Sequence, residues 1–175
     1  WVYWHKQFVK EYFSENFMDS VLILANVALS FNNQLSEGYT LMGNYYGLIG
    51  KPEHAIEEFD KAIKLNPNDW MSYTGKARLY INGDYVNYIN YLQKAAFINR
   101  GKELPTILEA IGAGYFQAGF LDKANQNIMD KLKLDGDSLS YYSQLSIDEN
   151  SLNNFKKSIE FAEKGCTIDS TTLLL

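Results

Sequence analysis

Apolar and small residues recur at intervals of three and four along most of the chain, most clearly over Tyr39–Leu48 and Leu104–Ala118. That spacing places them on one face of a helix and predicts a buried stripe on each. No stretch alternates with period two for long enough to predict a strand, so the pattern argues an all-α chain. Gly50-Lys51-Pro52 ends one predicted helix and opens the next with proline in its first turn. Asn66-Pro67-Asn68-Asp69 breaks the chain and offers Asp69 as a helix cap, and Leu134-Asp135-Gly136-Asp137-Ser138 does the same without proline. Glu57 with Lys61, and Asp60 with Lys64, stand four apart and read as ion pairs on a solvated face.

Sliding the chain against itself by 34 residues brings the elements into register. In Ser36–Asp69, Tyr39, Met42, Gly43 and Tyr46 are followed by Gly50, then Ala55, Phe59 and Ala62, then Asn66-Pro67. Pro105–Ser138 repeats the frame with Leu108, Ile111, Gly112, Tyr115, Gly119, Ala124, Ile128 and Leu132. Units at about 2–35, 36–69, 70–104, 105–138 and 139–172 tile the chain, the third with an inter-helix turn one residue short. Gly43, Ala77 and Gly112 fall in mid-helix, where glycine costs about 1 kcal/mol relative to alanine, so close helix approach is their expected use. Facing alanines (Ala55, Ala62, Ala95, Ala124) supply the complementary small surface.

The spacing of Tyr39, Met42, Gly43, Tyr46, Ala55, Phe59, Ala62 and Pro67 resembles the tetratricopeptide (TPR) repeat, and about five such units cover residues 2–172. The resemblance implies a right-handed α-α superhelix of about ten antiparallel helices, with residues 1–175 as a single domain, and the start at Trp1 rather than Met reads as a piece of a longer chain. It further implies a concave groove, lined by the first helix of each pair, that binds a peptide or helix of a partner protein. Carried onto this chain, the groove positions include Lys10, Thr40, Asn44, Leu48, Met71, Arg78, Asn82, Glu109, Phe116, Gln117 and Ile147. Their carboxamides suit the N–H and C=O groups of an extended backbone, and their apolar members suit side chains. Asn is abundant everywhere in the chain, which weighs against a dedicated carboxamide ladder.

A chaperone-tail carboxylate clamp is a poor match. Its positions fall on Thr40, Asn44, Gly75, Met71 or Thr106, and Ala110, and only Asn44 fits. A desolvated carboxylate would have no charged partner there.

The chemistry elsewhere is thin. Cys166 is the lone cysteine, placed by the pattern on the buried face of the last helix, and it excludes an intrachain disulfide. His5 and His54 lack partners at ligand spacing, so no metal or other cofactor is expected. Gly112-Ala113-Gly114 sits inside a predicted helix rather than in a phosphate-binding loop. The chain is read as non-catalytic. With 16 basic and 21 acidic residues its net charge is −5, which disfavours sequence-independent nucleic-acid binding. The longest apolar run, Val21–Leu29, is interrupted by Asn26 and is short of the roughly 20 residues of a membrane span.

Aromatics make up 15% of the chain, in keeping with wide inter-helix gaps filled by half-polar rings. Leu173-Leu174-Leu175 and the apolar face of the last helix predict docking on more chain or on another copy at the C-terminal end. The competing functional reading is a regulatory or self-association region of a larger bacterial-type signalling or transcriptional regulator.

Overall fold

A computed structural model describes residues 17–172, which form nine helices joined by short turns, with no strand among the described residues. The first helix of the first expected pair lies outside the described residues. Contacts gather into two compact units, one closing at Asn99 and the other opening at Arg100.

The first unit holds α1 (Phe17–Phe31), α2 (Ser36–Leu48), α3 (Pro52–Leu65), α4 (Trp70–Arg78) and α5 (Tyr85–Ile98). Each helix packs on the next, and α2 also lies against α4, so the leading helices of two successive pairs are neighbours. At the centre of their core Ala55, Ala62, Ala77 and Ala95 are fully buried and Phe59 is 1% exposed, with Val21, Tyr88, Ile89 and Leu92 buried around them. Phe59 explains the glycines around it. A Cβ on Gly43 of α2 would lie 2.8 Å from the ring, and one on Gly75 of α4 only 2.5 Å from it. One side chain of α3 thus fills the gap left by glycines on two different helices, which offsets the helix-propensity cost of both.

The second unit holds α6 (Leu104–Gln117), α7 (Leu121–Asp135), α8 (Ser138–Ser151) and α9 (Phe155–Thr172), again packed in sequence. Gly112 performs the close approach, since a Cβ there would meet Ile128 Cγ1 at 3.1 Å and the Ala124 carbonyl at 3.3 Å. In the last pair, serines occupy the corresponding positions. The Ser146 hydroxyl donates to the Ser158 carbonyl at 2.9 Å and lies 3.1 Å from its hydroxyl, so a polar stitch stands where glycine meets alanine elsewhere.

Helix ends follow the expected punctuation. Pro52 stands in the first turn of α3, and Gly136 closes α7 at φ 69°, a left-handed conformation that a side chain disfavours. Asp69, Asp84 and Asp137 cap α4, α5 and α8 through side-chain acceptors. At Asp84 the Asn87 backbone amide, then its side-chain amide, hold the carboxyl below its usual range.

Three expectations need correction. Cys166 is exposed, because the less exposed line on α9 runs through Ser158, Phe161 and Gly165, and the next residue is rotated well off that line. Lys61 pairs with Glu58 at 2.8 Å rather than with Glu57. Asp60 reaches across to Lys76 on α4 rather than along its own helix to Lys64.

Candidate functional site

The seam between α2 and α4 is where first-helix residues meet. Its foundation is a buried polar knot that spans the repeat boundary. Asp69 accepts from the amides of Met71 and Ser72 through Oδ1, and from the Thr40 and Ser72 hydroxyls through Oδ2 at 2.6 and 2.7 Å. Thr40 also lies 3.1 Å from the Ser36 carbonyl. Thr40 is 4% exposed, so it is not a groove residue; its hydroxyl ties α2 to the start of α4. The carboxylate at an N-terminus also complements the positive end of the helix.

Beside the knot, Asn44 is half-buried, with Oδ1 3.1 Å from where a Cβ on Gly75 would stand. The absence of a side chain at Gly75 therefore makes room for that carboxamide as well as for Phe59. Met71 is half-buried at the start of α4, and Thr74 donates to its carbonyl at 2.9 Å. Leu48 is 52% exposed at the far end of α2. Arg78 is exposed at the last turn of α4, where its charge partly offsets the rise that burial imposes on the Tyr88 phenol.

Asn82 lies in a turn rather than on a helix. The chain tightens after Arg78 into bonds from Leu79, Tyr80 and Ile81 to carbonyls three residues back. The cause is the short frame: α5 starts 15 residues after α4 starts, against 16 from α2 to α3. Lys10 lies outside the described residues.

In the second unit, Glu109 is exposed and reaches Lys131 of α7 at 3.9 Å, so it serves the pair's own packing. Lys131 is itself buried and pairs with Asp135 at 3.0 Å. Phe116 is half-buried and Gln117 exposed at the end of α6, and Ile147 is exposed on α8.

Lys76 is a feature the sequence reading missed. It is buried, bonded to Asp60, and 5.0 Å from the Tyr91 ring centre. Burial pulls its pKa down, but the bonds to Asp60 and Tyr91 outweigh that and hold it above its usual range. The signal available in the sequence was a lysine in the apolar stripe of α4, next to Ala77.

Among the described residues no group of three His, Cys, Asp or Glu side chains could hold a metal ion, and no helix is long and apolar enough to cross a membrane.

Comparison with known proteins agrees with this architecture. The tetratricopeptide-repeat family model matches residues 36–69. The protein CTR9 homolog of Arabidopsis thaliana is 30% identical over 94 residues, 52% of this chain but 9% of that protein's length. Among solved structures, MamA (41-end) from Desulfovibrio magneticus RS-1 aligns with a TM-score of 0.71 at 18% identity, covering 89% of this chain and 88% of that one. PilF from Pseudomonas aeruginosa aligns at 0.67 and 13% identity, over 85% and 76% of the two chains. YrrB, described as a TPR protein with an unusual peptide-binding site, aligns at 0.65 and 17% identity, over 98% and 85%. At these identities the likeness is one of fold.

Proposed function

We propose that this chain, an all-α helical-repeat protein whose residues 36–69 match the tetratricopeptide-repeat family model, is a non-catalytic interaction scaffold whose α2–α4 face binds an extended segment of a partner protein. The observation that carries this reading is the direct packing of α2 on α4 around Gly75, which sets Asn44 and Met71 half-open at one seam with Leu48 and Arg78 exposed on the same two helices. A carboxamide held at a helix seam offers donor and acceptor to a peptide backbone, and the flanking apolar side chains offer selectivity. The peptide-binding site in the description of YrrB is in keeping with such a role for this fold.

The test is selection of peptides from a displayed random library against the whole chain, followed by amide chemical-shift mapping. Selected peptides are expected to move amides of α2 and α4 and to lose affinity for Asn44→Ala and Arg78→Glu variants of unchanged helicity. Shifts confined to other helices refute the assignment.

Self-association is a second reading, favoured by α9, which leaves Phe155 and Ile159 59% and 58% exposed one turn apart. Sedimentation of the wild type and an Ile159→Glu variant separates the two: a dimer lost in the variant supports this face as its interface, and a monomer in both refutes it.

A further inference from the structure

A second surface lies in the first unit and shares no residue with the α2–α4 seam. It is an open groove of about 680 Å³ between the α3–α4 turn and α5, lined by Asn68, Tyr73, Asn90, Tyr91, Lys94 and Phe97 among others. The α5 positions follow the three- and four-residue rhythm of one helical face, which Asn87 extends by a turn.

The charge pattern of this groove is lopsided. Lys94 stands over two rings, 5.9 Å from the centre of Tyr73 and 5.5 Å from that of Tyr91. Lys76 also approaches Tyr91, but Asp60 neutralises it. Lys94 has no carboxylate within ion-pair distance among the described residues, and no Asp or Glu lines the groove. This is the reverse of the whole chain, where acidic residues outnumber basic ones by 21 to 16. Ring contacts stabilise a cation without cancelling its charge, so the field of Lys94 extends into the groove.

The rest of the lining suits a polypeptide. The carboxamides of Asn68, Asn87 and Asn90 each carry a donor and an acceptor, matching the alternating N–H and C=O of an extended chain. Asn87 donates to Asp84 at 2.6 Å, which fixes its amide in one orientation. Tyr73 and Phe97 offer ring surface for proline or aliphatic side chains, while Tyr91 is stacked on Tyr80 and anchors Lys94.

From this combination we infer that the groove is a second docking site, for an extended acidic peptide segment whose carboxylate pairs with Lys94 while neighbouring prolyl or aliphatic residues lie on Tyr73 and Phe97. The site is independent of the α2–α4 reading, and either can fail alone.

The experiment uses the whole chain, isotopically labelled, and two synthetic pools. One consists of capped peptides of proline, leucine and glycine around a single central glutamate; the other replaces that glutamate with glutamine. The glutamate pool is expected to move the amides of Asn68, Asn87 and Asn90 and to bind more weakly as salt is raised. The glutamine pool, and the glutamate pool with Lys94→Gln, are each expected to bind about tenfold more weakly. Lys94 is exposed and glutamine is nearly as good a helix former, so the variant keeps its fold. Equal binding of the two pools, no effect of Lys94→Gln, shifts confined to α2 and α4, or no binding at all would each overturn the proposal. So would tighter binding of oligouridylate than of the acidic pool.

Discussion

Gly75→Ala is a sharp probe of the packing, because the sign of its effect depends on one ring. Alanine in place of glycine inside a helix is worth about 1 kcal/mol in propensity. In this fold the added methyl would stand 2.5 Å from Phe59 Cε1 and Cζ and 3.1 Å from Asn44 Oδ1. The ring has little room to retreat, since it is 1% exposed and also stands close to Gly43, where a Cβ would lie 2.8 Å from it. Overpacking of that kind costs about 1–3 kcal/mol, so Gly75→Ala should destabilise the wild type by up to about 2 kcal/mol. Phe59→Leu removes the two offending carbons, at roughly 2–3 kcal/mol for the buried carbon lost. In that background Gly75→Ala should instead stabilise by about 1 kcal/mol, because the methyl enters free space and keeps its helical advantage. The coupling between the two sites is therefore about 1–3 kcal/mol. Urea unfolding followed by circular dichroism measures it: the midpoint should fall with Gly75→Ala alone and rise when the substitution is added to Phe59→Leu. A gain of the same size in both backgrounds would refute the account of Phe59 as a wedge shared by α2 and α4.

Further expectations rest on other contacts. Asp69→Ala removes the cap of α4 and the shared acceptor of the buried Thr40 and Ser72 hydroxyls, so it should cost about 2 kcal/mol in the same assay, with Asp69→Asn milder. Gly112→Leu forces a side chain against Ile128 and the Ala124 carbonyl and should lower the midpoint by the equivalent of about 1–3 kcal/mol; an unchanged midpoint would contradict the close approach of α6 and α7.

The Asp148 carboxyl is pushed above its usual range by burial, with Oδ2 unpartnered and only Gln144 donating to Oδ1. A raised folded value means the native state holds this proton more tightly. Its contribution is favourable at low pH and is lost as pH rises from the ordinary carboxylate range through the raised value. Asp148→Asn should therefore raise the midpoint at neutral pH by about 1 kcal/mol, a gain that shrinks as the pH is lowered toward that range.

Much of the fold was legible because its determinants are short-range. The rhythm of three and four, Pro52, the cap at Asp69 and the left-handed Gly136 each act within one helix or one turn. The mid-helix glycines were legible as close approaches, but their shared partner was not, since nothing in the spacing indicates that Phe59 meets both Gly43 and Gly75. Side-chain partnerships across helices were the least legible. Asp69 read as a cap and Thr40 as a groove residue, whereas a bond spanning 29 positions joins them. Asp60 likewise pairs across to Lys76 on α4, while Lys61 stays on its own helix and takes Glu58, three residues back, over Glu57. For the candidate site, the frame located Asn44 and Met71 on neighbouring helices, while the early end of α4 moved Asn82 into a turn. The α5 groove was hidden because nothing in the spacing ties Asn87, Asn90 and Lys94 of α5 to Asn68 and Tyr73 across the turn.

The repeat drawn in the sequence and the unit held together by contacts are out of phase. The seam between positions 69 and 70 is crossed by the ring of Phe59, which sits against Gly75, and by the hydroxyl of Thr40, which is bound to Asp69 and close to Ser72. A segment excised at that seam would leave the ring of Phe59 uncovered on one half, and a hollow at Gly75 beside an uncapped α4 on the other. Transplants into other arrays should therefore be cut in the turn between α2 and α3, carrying Phe59, Asp69 and Gly75 together. Duplication events that respected such a cut would have kept the Phe59–Gly75 contact and the Asp69 cap, leaving the bond from Thr40 and the approach of Gly43 to be rebuilt.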